Sequence, residues 1–114
     1  MTVLIVEDNA SVRRLLRRAV QQVATAIWEC GDGVEALAAY SEYRPDFVLM
    51  DVRMPILDGL SATRQIRKAD PQARIIIVTD CDDEDMRAAA SKAGASGYVL
   101  KQDLTTLEAL IGRS

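Results

Sequence analysis

Hydrophobic residues along this chain form five short runs of strand length, and segments of helical periodicity separate them. A continuous apolar run without alternation is typical of a strand that is buried on both faces. The runs are Val3 to Val6, Ala26 to Cys30, Phe47 to Met50, Arg74 to Val78 and Gly97 to Leu100. This spacing predicts a parallel sheet of five strands whose two faces are both buried.

The segments that follow these runs predict five helices. Apolar residues recur at helical spacing in the first segment, and four arginines fill its other side. The apolar set is Val12, Leu15, Leu16, Ala19, Val20 and Val23; the arginines are Arg13, Arg14, Arg17 and Arg18. The second helix is predicted from Val34 to Glu42, and the third carries Leu60, Thr63 and Ile66. The fourth starts in the acidic residues 82–85 and ends at Gly94; the last is short, capped by Asp103, and carries Leu107, Leu110 and Ile111.

Five consecutive βα units predict an α/β fold with helices on both faces of the sheet. At this length we expect a flavodoxin-like, doubly wound (βα)5 arrangement with strand order 2-1-3-4-5. The chain has 114 residues, of which 49% are hydrophobic, so we expect one compact domain over 1–114.

Composition excludes several classes of function. The chain has no histidine, which rules out His-based triads, His-ligated zinc and a phosphohistidine of its own. Two cysteines are too few for a disulfide framework. A net charge of −3 disfavours binding to nucleic acid and to anionic membranes. The apolar run at Val3 to Val6 is too short for a membrane span, and we expect a cytoplasmic protein.

Polar residues that could take part in chemistry lie at or just after the ends of four predicted strands. Glu7 and Asp8 follow the first, Asp51 the third and Lys101 the fifth, while Thr79 ends the fourth. Ligands of such sheets bind outside the carboxyl ends of the strands. Three carboxylates at one rim repel each other unless a cation lies among them, and Mg²⁺ is the hard ion that fits best, with Mn²⁺ as the alternative.

Asp51 is then a candidate nucleophile for a phosphoryl group. Thr79 and Lys101 would contact the other phosphoryl oxygens. Each residue alone would more often be an ordinary solvated loop residue. Their joint placement at one rim favours a functional site.

These residues lie in segments that resemble the receiver domains of bacterial response regulators. Val3 to Asn9 is similar to the opening strand and acidic pair of that family, and Asp51 to Gly59 resembles its phosphoacceptor loop. Ile75 to Thr79 and Gly97 to Lys101 complete a likeness that covers essentially the whole chain. Lys101 and Asp103 stand as in receivers of the NarL/FixJ type, which are attached to helix-turn-helix transcription factors.

The resemblance implies a role for each site residue. Asp51 would accept the phosphoryl group from a phosphohistidine on a sensor histidine kinase or phosphotransfer protein. Glu7 and Asp8, with Asp51 and the backbone carbonyl of Arg53, would hold Mg²⁺.

The resemblance also implies how a signal would leave the site. Thr79 would move toward the phosphate, Lys101 would bind it, and Tyr98 would turn inward as the surface of the fourth helix, fifth strand and fifth helix rearranges. From its strand position alone, Tyr98 is about as well explained as a packing aromatic.

The implied protein is a switch rather than an enzyme, although it promotes its own phosphorylation and dephosphorylation. Its partners would be the kinase and a downstream effector protein or domain, and phosphorylation could produce a homodimer. Direct nucleic-acid binding and membrane association are not expected. The chain is either a free-standing receiver or the receiver portion of a longer regulator.

Three positions depart from, or vary within, the family pattern: Asp80, Arg53, and Gln102, which stands where many receivers have a proline after the lysine. Asp80 stands where most receivers have a small residue after the switch threonine, and its charge predicts slower phosphorylation or an altered phosphate lifetime. A helix-start acidic cluster that serves capping alone explains Asp80 about equally well. The Arg53 side chain could reach over the phosphate or lie in solvent, and we expect it to lie in solvent. We expect Cys81 to be a structural thiol rather than a redox sensor.

Other functions fit the sequence less well. A haloacid-dehalogenase-like phosphatase needs a second acid where Arg53 stands. A flavodoxin-like cofactor binder needs a phosphate loop where Glu7 and Asp8 stand. A pseudo-receiver that acts as an interaction module remains an alternative because of Asp80. The arginines of the first helix indicate a solvated face or a kinase-docking surface rather than a nucleic-acid site, because no aromatic residues lie between them.

Overall fold

The structure of the chain, a computed structural model, describes residues 1–54 and 56–112 and has the five predicted βα units in order. The strands are β1 (Thr2–Val6), β2 (Ala26–Cys30), β3 (Phe47–Met50), β4 (Ile75–Thr79) and β5 (Gly97–Leu100). The helices are α1 (Ala10–Val20), α2 (Gly33–Tyr43), α3 (Gly59–Ala69), α4 (Glu84–Ala93) and α5 (Thr105–Gly112). All four strand pairs are parallel and the sheet order is β2-β1-β3-β4-β5, which confirms the predicted fold.

The strand register brings the carboxyl ends of the strands to one rim of the sheet. Val6 at the end of β1 pairs with Met50 at the end of β3, and Met50 pairs with Ile77 of β4. Thr79 at the end of β4 pairs with Leu100 at the end of β5. The residues that follow these strands therefore emerge beside one another.

The sheet separates two hydrophobic cores, because successive strand residues point to opposite faces. On one face the strands pack against α2, α3 and α4, and on the other against α1 and α5. The buried helix residues of the first core include Ala36, Tyr40, Ala62, Ile66 and Ala90; those of the second are Leu16, Val20, Leu107 and Ile111. Both faces are thus covered, as a parallel sheet requires.

Four helices begin at a side chain that accepts a hydrogen bond from their first turn. The capping residues are Asn9, Asp32, Asp58 and Asp83 for α1 to α4. The cap predicted for the last helix was wrong by one position: α5 begins at Thr105, and Asp103 accepts a bond from the Thr105 hydroxyl at 3.1 Å. Of the helices that the structure describes, none combines the length and apolar character needed to cross a membrane.

Two leucines that the periodicity assigned to the core lie at its edge instead. Leu15 of α1 is 51% exposed and Leu110 of α5 is 44% exposed. Both belong to the two helices that cover the α1/α5 face, where α5 has eight residues against eleven in α1. Three helices cover the other face, but only two cover this one, which leaves its margins open.

The start of α3 lies against the backbone that presents Asp51. The Gly59 amide donates a hydrogen bond to the Val52 carbonyl at 2.9 Å. A Cβ atom on Gly59 would lie 1.9 Å from the Asp51 carbonyl oxygen, well inside van der Waals contact. Gly59 is therefore required for this close approach.

Replacement of Gly59 with alanine is expected to lower the free energy of unfolding by about 3 kcal/mol, because a rigid backbone atom blocks the new methyl group. Urea denaturation measures the change. Gly31→Ala is the matched control, since a Cβ atom at Gly31 would meet its nearest neighbour at 3.8 Å, an ordinary contact. Equal losses in the two variants would contradict the close approach at Gly59.

Candidate functional site

Three carboxylates converge at the carboxyl rim of the sheet. Glu7 and Asp8 directly follow β1, and Asp51 directly follows β3. One carboxylate oxygen from each residue lies within 4.8 Å of the others, and we call these three residues the acidic cluster. Glu7 and Asp51 are 1% and 4% exposed, whereas Asp8 faces solvent. The cluster is thus open on the Asp8 side and buried beneath it.

Lys101 supplies the positive charge within this cluster. Its Nζ atom lies 3.1 Å from Glu7 Oε1 and 3.1 Å from Asp51 Oδ1. The Lys101 amide donates to the Thr79 carbonyl at 2.7 Å, which anchors the residue at the ends of β4 and β5. The Lys101 ammonium is therefore shared between two buried carboxylates, those of Glu7 and Asp51.

Burial and neighbouring charges together shift the pKa values of Glu7, Asp51 and Lys101. Burial raises the pKa of Glu7 to about 7, and the nearby charge of Asp51 adds to the effect. Burial also raises the pKa of Asp51 above its ordinary value, although Lys101 opposes the shift. Burial would lower the pKa of Lys101, but its two carboxylate partners raise it. One ammonium against three carboxylates leaves an excess of negative charge.

Thr79 is connected by hydrogen bonds to Tyr98 at the far side of the β4–α4 loop. The Thr79 hydroxyl accepts a bond from the Cys81 amide at 3.2 Å, and the Cys81 carbonyl accepts one from the Tyr98 hydroxyl at 2.5 Å. The Arg87 guanidinium lies 4.4 Å from the centre of the Tyr98 ring and also bonds to Asp82 at 3.1 Å. The half-buried Tyr98 is thus held between the β4–α4 loop and helix α4.

Two of the predicted site residues have no polar side-chain contact with the acidic cluster. Asp80 and Arg53 are exposed, and within residues 1–54 and 56–112 neither side chain makes a hydrogen bond or an ion pair. Cys81 is half-buried and contributes its backbone, rather than its thiol, to the chain of bonds that starts at Thr79.

Sequence reasoning missed a role for Arg13. The arginines of α1 were predicted to form a solvated face or docking surface, but Arg13 Nη1 donates to the carbonyls of Glu7 at 2.7 Å and Asp8 at 3.3 Å. Its Nε atom lies 3.4 Å from Glu29 Oε1. Helical side chains lean toward the amino terminus of their helix, so an arginine one turn inside α1 can reach the loop before it. That rule is the signal that could have identified Arg13.

The arrangement has the groups that bind a divalent cation and a phosphoryl group. Carboxylate oxygens are the ligands of hard cations such as Mg²⁺, and three carboxylates here face one ammonium. A buried carboxylate beside an ammonium can act as a nucleophile while the ammonium neutralises incoming negative charge. The acidic cluster and Lys101 together therefore fit phosphoryl chemistry.

Comparison with known proteins points to one family. Residues 3–111 match the family model of the response regulator receiver domain. The chain is 43% identical over 99 residues to the chemotaxis protein CheY of Halobacterium salinarum, an alignment that covers 87% of this chain and 82% of that protein. It is 36% identical over 119 residues to the response regulator MprA of Mycobacterium avium, covering 100% of this chain and 52% of MprA.

Among solved structures, the chain is similar to a two-component response regulator of the LuxR family from an Aurantimonas species. The TM-score is 0.90 at 36% identity, and the match covers 98% of this chain and 82% of that one. The chain spans about half the length of MprA. The likeness to CheY and to the LuxR-family protein extends over most of each of those chains.

The raised pKa of Glu7 predicts a pH-dependent stability of the metal-free protein. The folded chain holds this proton more tightly than the unfolded chain, so the free energy of unfolding should fall as pH rises from about 4.5 to about 7. Glu7→Gln removes this dependence. The free energy of unfolding of the variant, relative to that of the wild type, should therefore rise by about 2 kcal/mol over that interval. Urea denaturation in EDTA between pH 5 and pH 8 measures the difference.

The control for this experiment is Glu42→Gln, which changes an exposed carboxylate of α2. Its stability curve should run parallel to that of the wild type. A Glu7→Gln curve that is also parallel to the wild type would contradict a buried Glu7 that exchanges its proton near neutral pH.

Proposed function

Because the chain belongs to the family of response regulator receiver domains, we propose that it is a phosphorylation switch whose phosphoacceptor is Asp51. The observation that supports this assignment best is the position of Asp51 at the sheet rim. Its carboxylate is nearly buried, lies within the acidic cluster, and is 3.1 Å from the Lys101 ammonium.

The phosphoryl donor in this proposal is a phosphohistidine of a sensor histidine kinase or a phosphotransfer protein. An Asp51 carboxylate oxygen attacks the phosphorus atom, the phosphorus–nitrogen bond breaks, and the donor imidazole leaves. Residues 1–114 contain no histidine, so the phosphohistidine lies outside this domain. Hydrolysis of the acyl phosphate restores the carboxylate, which makes the chain a switch that promotes its own phosphorylation and dephosphorylation.

The acidic cluster fits a Mg²⁺ ion, with Mn²⁺ as a substitute. Glu7, Asp8 and Asp51 would hold the ion together with the backbone carbonyl of Arg53. Mg²⁺ is commonly bound by one or two carboxylates, several waters and a phosphate oxygen, so it would neutralise charge on the phosphoryl group. The excess of carboxylates over ammonium groups supports this assignment.

Lys101 and Thr79 are proposed to bind the phosphoryl oxygens. The Lys101 ammonium has three N–H donors and already contacts Asp51, so it can pair with an oxygen attached there. The Thr79 hydroxyl accepts a bond from the Cys81 amide, which leaves its own proton for donation to a phosphoryl oxygen.

The output surface is proposed to consist of α4, β5 and α5. Movement of Thr79 toward the phosphate would disturb its bond to Cys81, and Cys81 in turn accepts the bond from Tyr98. This path connects the phosphorylation site to α4, where Arg87 contacts the Tyr98 ring. A downstream effector protein or domain, or a second copy of the chain, would read the change.

The same proposal covers the extent and location of the protein. Residues 1–114 form one receiver domain that acts in the cytoplasm, where it meets the kinase. The domain is either a free-standing receiver or the receiver portion of a longer regulator. The half-length match to MprA is consistent with the second arrangement, and the match to CheY with the first.

Asp51→Asn is expected to abolish phosphorylation, because an amide cannot act as the nucleophile. The full chain is incubated with a small acyl phosphate and Mg²⁺, and intact mass spectrometry measures uptake. The wild type should gain a single phosphoryl group and Asp51→Asn none. Asp46→Asn should behave as the wild type, because Asp46 lies just before β3, at the amino ends of the strands and opposite the site. No uptake by the wild type from any donor would favour a pseudo-receiver instead.

Asp80→Ala tests whether the negative charge after Thr79 slows the reaction. Removal of one exposed charge near the incoming phosphoryl group should accelerate phosphorylation about two-fold, in keeping with the modest energy of exposed charge interactions. Uptake and decay are followed by intact mass at low ionic strength. Asp85→Ala removes the same charge from the first turn of α4 and should have a smaller effect. Unchanged rates in Asp80→Ala would assign Asp80 to the helix-start cluster alone.

A further inference from the structure

We propose that Arg13 is a positioning residue for the acidic cluster: its guanidinium fixes the backbone between β1 and α1 so that Glu7 and Asp8 face the site. This inference rests on the proposed function in one respect, since it takes the acidic cluster to be a cation site. It adds a residue of α1 that touches neither the cation nor Asp51 and acts through the backbone of two other residues.

The β1–α1 loop consists of Glu7, Asp8 and Asn9, and two of these carry the carboxylates. Arg13 Nη1 donates to both the Glu7 carbonyl and the Asp8 carbonyl, at 2.7 Å and 3.3 Å. One nitrogen with two N–H groups thus holds two consecutive peptide units. Fixing these peptides restricts the directions in which both side chains leave the backbone, and ordered ligand positions lower the entropy cost of binding an ion.

The loop is also held from its other sides. The Glu7 amide donates to the Cys30 carbonyl at 3.0 Å, and the Asn9 amide donates to Glu7 Oε2 at 3.2 Å. Asn9 caps α1 by accepting from the Val12 amide at 3.1 Å. These contacts fix one oxygen of Glu7 and both ends of the loop. The contacts of Arg13 hold the Asp8 carbonyl in addition, and Asp8 is the exposed member of the cluster.

Arg13 is itself oriented by Glu29 on β2. Glu29 Oε1 lies 3.4 Å from Arg13 Nε, and Glu29 Oε2 lies 2.6 Å from Arg17 Nε. The Arg13 side chain is 25% exposed, so the pair is partly shielded from water. A carboxylate on the neighbouring strand therefore aims the guanidinium at the loop, while a second arginine holds that carboxylate.

A purely electrostatic role for Arg13 predicts the opposite effect from a positioning role. A positive charge near the acidic cluster repels a cation, so its removal should tighten binding if charge alone matters. Its removal should weaken binding if the guanidinium holds the ligands in place. The sign of the change therefore separates the two roles.

The experiment measures Mn²⁺ binding to the full chain by the EPR signal of the free ion, with Mg²⁺ as competitor. Arg13→Ala should weaken binding roughly ten-fold, the size of effect typical of groups that orient metal ligands. Arg14→Ala is the matched control, because it removes the same charge from the next position of α1, where Arg14 contacts Ser11. Its Mn²⁺ affinity should stay within about two-fold of the wild type.

Two further variants separate positioning from general stability. Arg13→Lys restores a donor and a charge, and should bind Mn²⁺ more weakly than the wild type but more tightly than Arg13→Ala. The restored charge alone would repel the ion, so this recovery reports the donor. Val20→Ala truncates a fully buried residue of α1 and should lower the midpoint of thermal unfolding without changing Mn²⁺ affinity.

Wild-type or tighter Mn²⁺ binding by Arg13→Ala would overturn this inference and leave the metal site intact. Failure of the wild type to bind Mn²⁺ would overturn the proposed metal site and this inference together. If Arg13→Ala does not fold, Arg13→Lys decides: weaker binding than the wild type supports the positioning role, and equal binding overturns it.

Discussion

Mutual repulsion among Glu7, Asp8 and Asp51 is the constraint around which this end of the molecule is organised. Their oxygens lie within 4.8 Å, and two of the three side chains are nearly buried, where charge is costly. Lys101 compensates part of the charge from β5, and its contacts with Glu7 and Asp51 join the ends of three strands. Burial raises the pKa of Glu7, and the nearby charge of Asp51 adds to the effect. The site thus has a place for a further cation.

Much of the fold could be predicted because its determinants are local in sequence. Continuous apolar runs identify buried strands, and parallel connection places the residues after them at one rim. That reasoning found Glu7, Asp8, Asp51 and Lys101, which the structure brings together. It needed no knowledge of side-chain conformations, since the strand ends alone determine which residues are neighbours.

The remainder depends on packing that a periodic pattern does not contain. Leu15 has the spacing of a core residue, yet it is half exposed and lines a groove between α1 and the start of α5. Arg13 has the spacing of a surface residue, yet its long side chain turns back to the β1–α1 loop and meets Glu29 from another strand. The Thr79–Cys81–Tyr98 hydrogen bonds also involve backbone groups, whose partners are set by the path of the loop rather than by residue type.

The position of Arg87 has a consequence for any rearrangement at this surface. The guanidinium of Arg87 stacks on the Tyr98 ring and donates a hydrogen bond to Asp82. Arg87 therefore links the ring to helix α4 and to the loop before it. If the ring leaves the Cys81 carbonyl, it also loses its cationic neighbour, unless α4 travels with it. Movement of the Tyr98 ring and movement of α4 are therefore coupled through the Arg87 side chain.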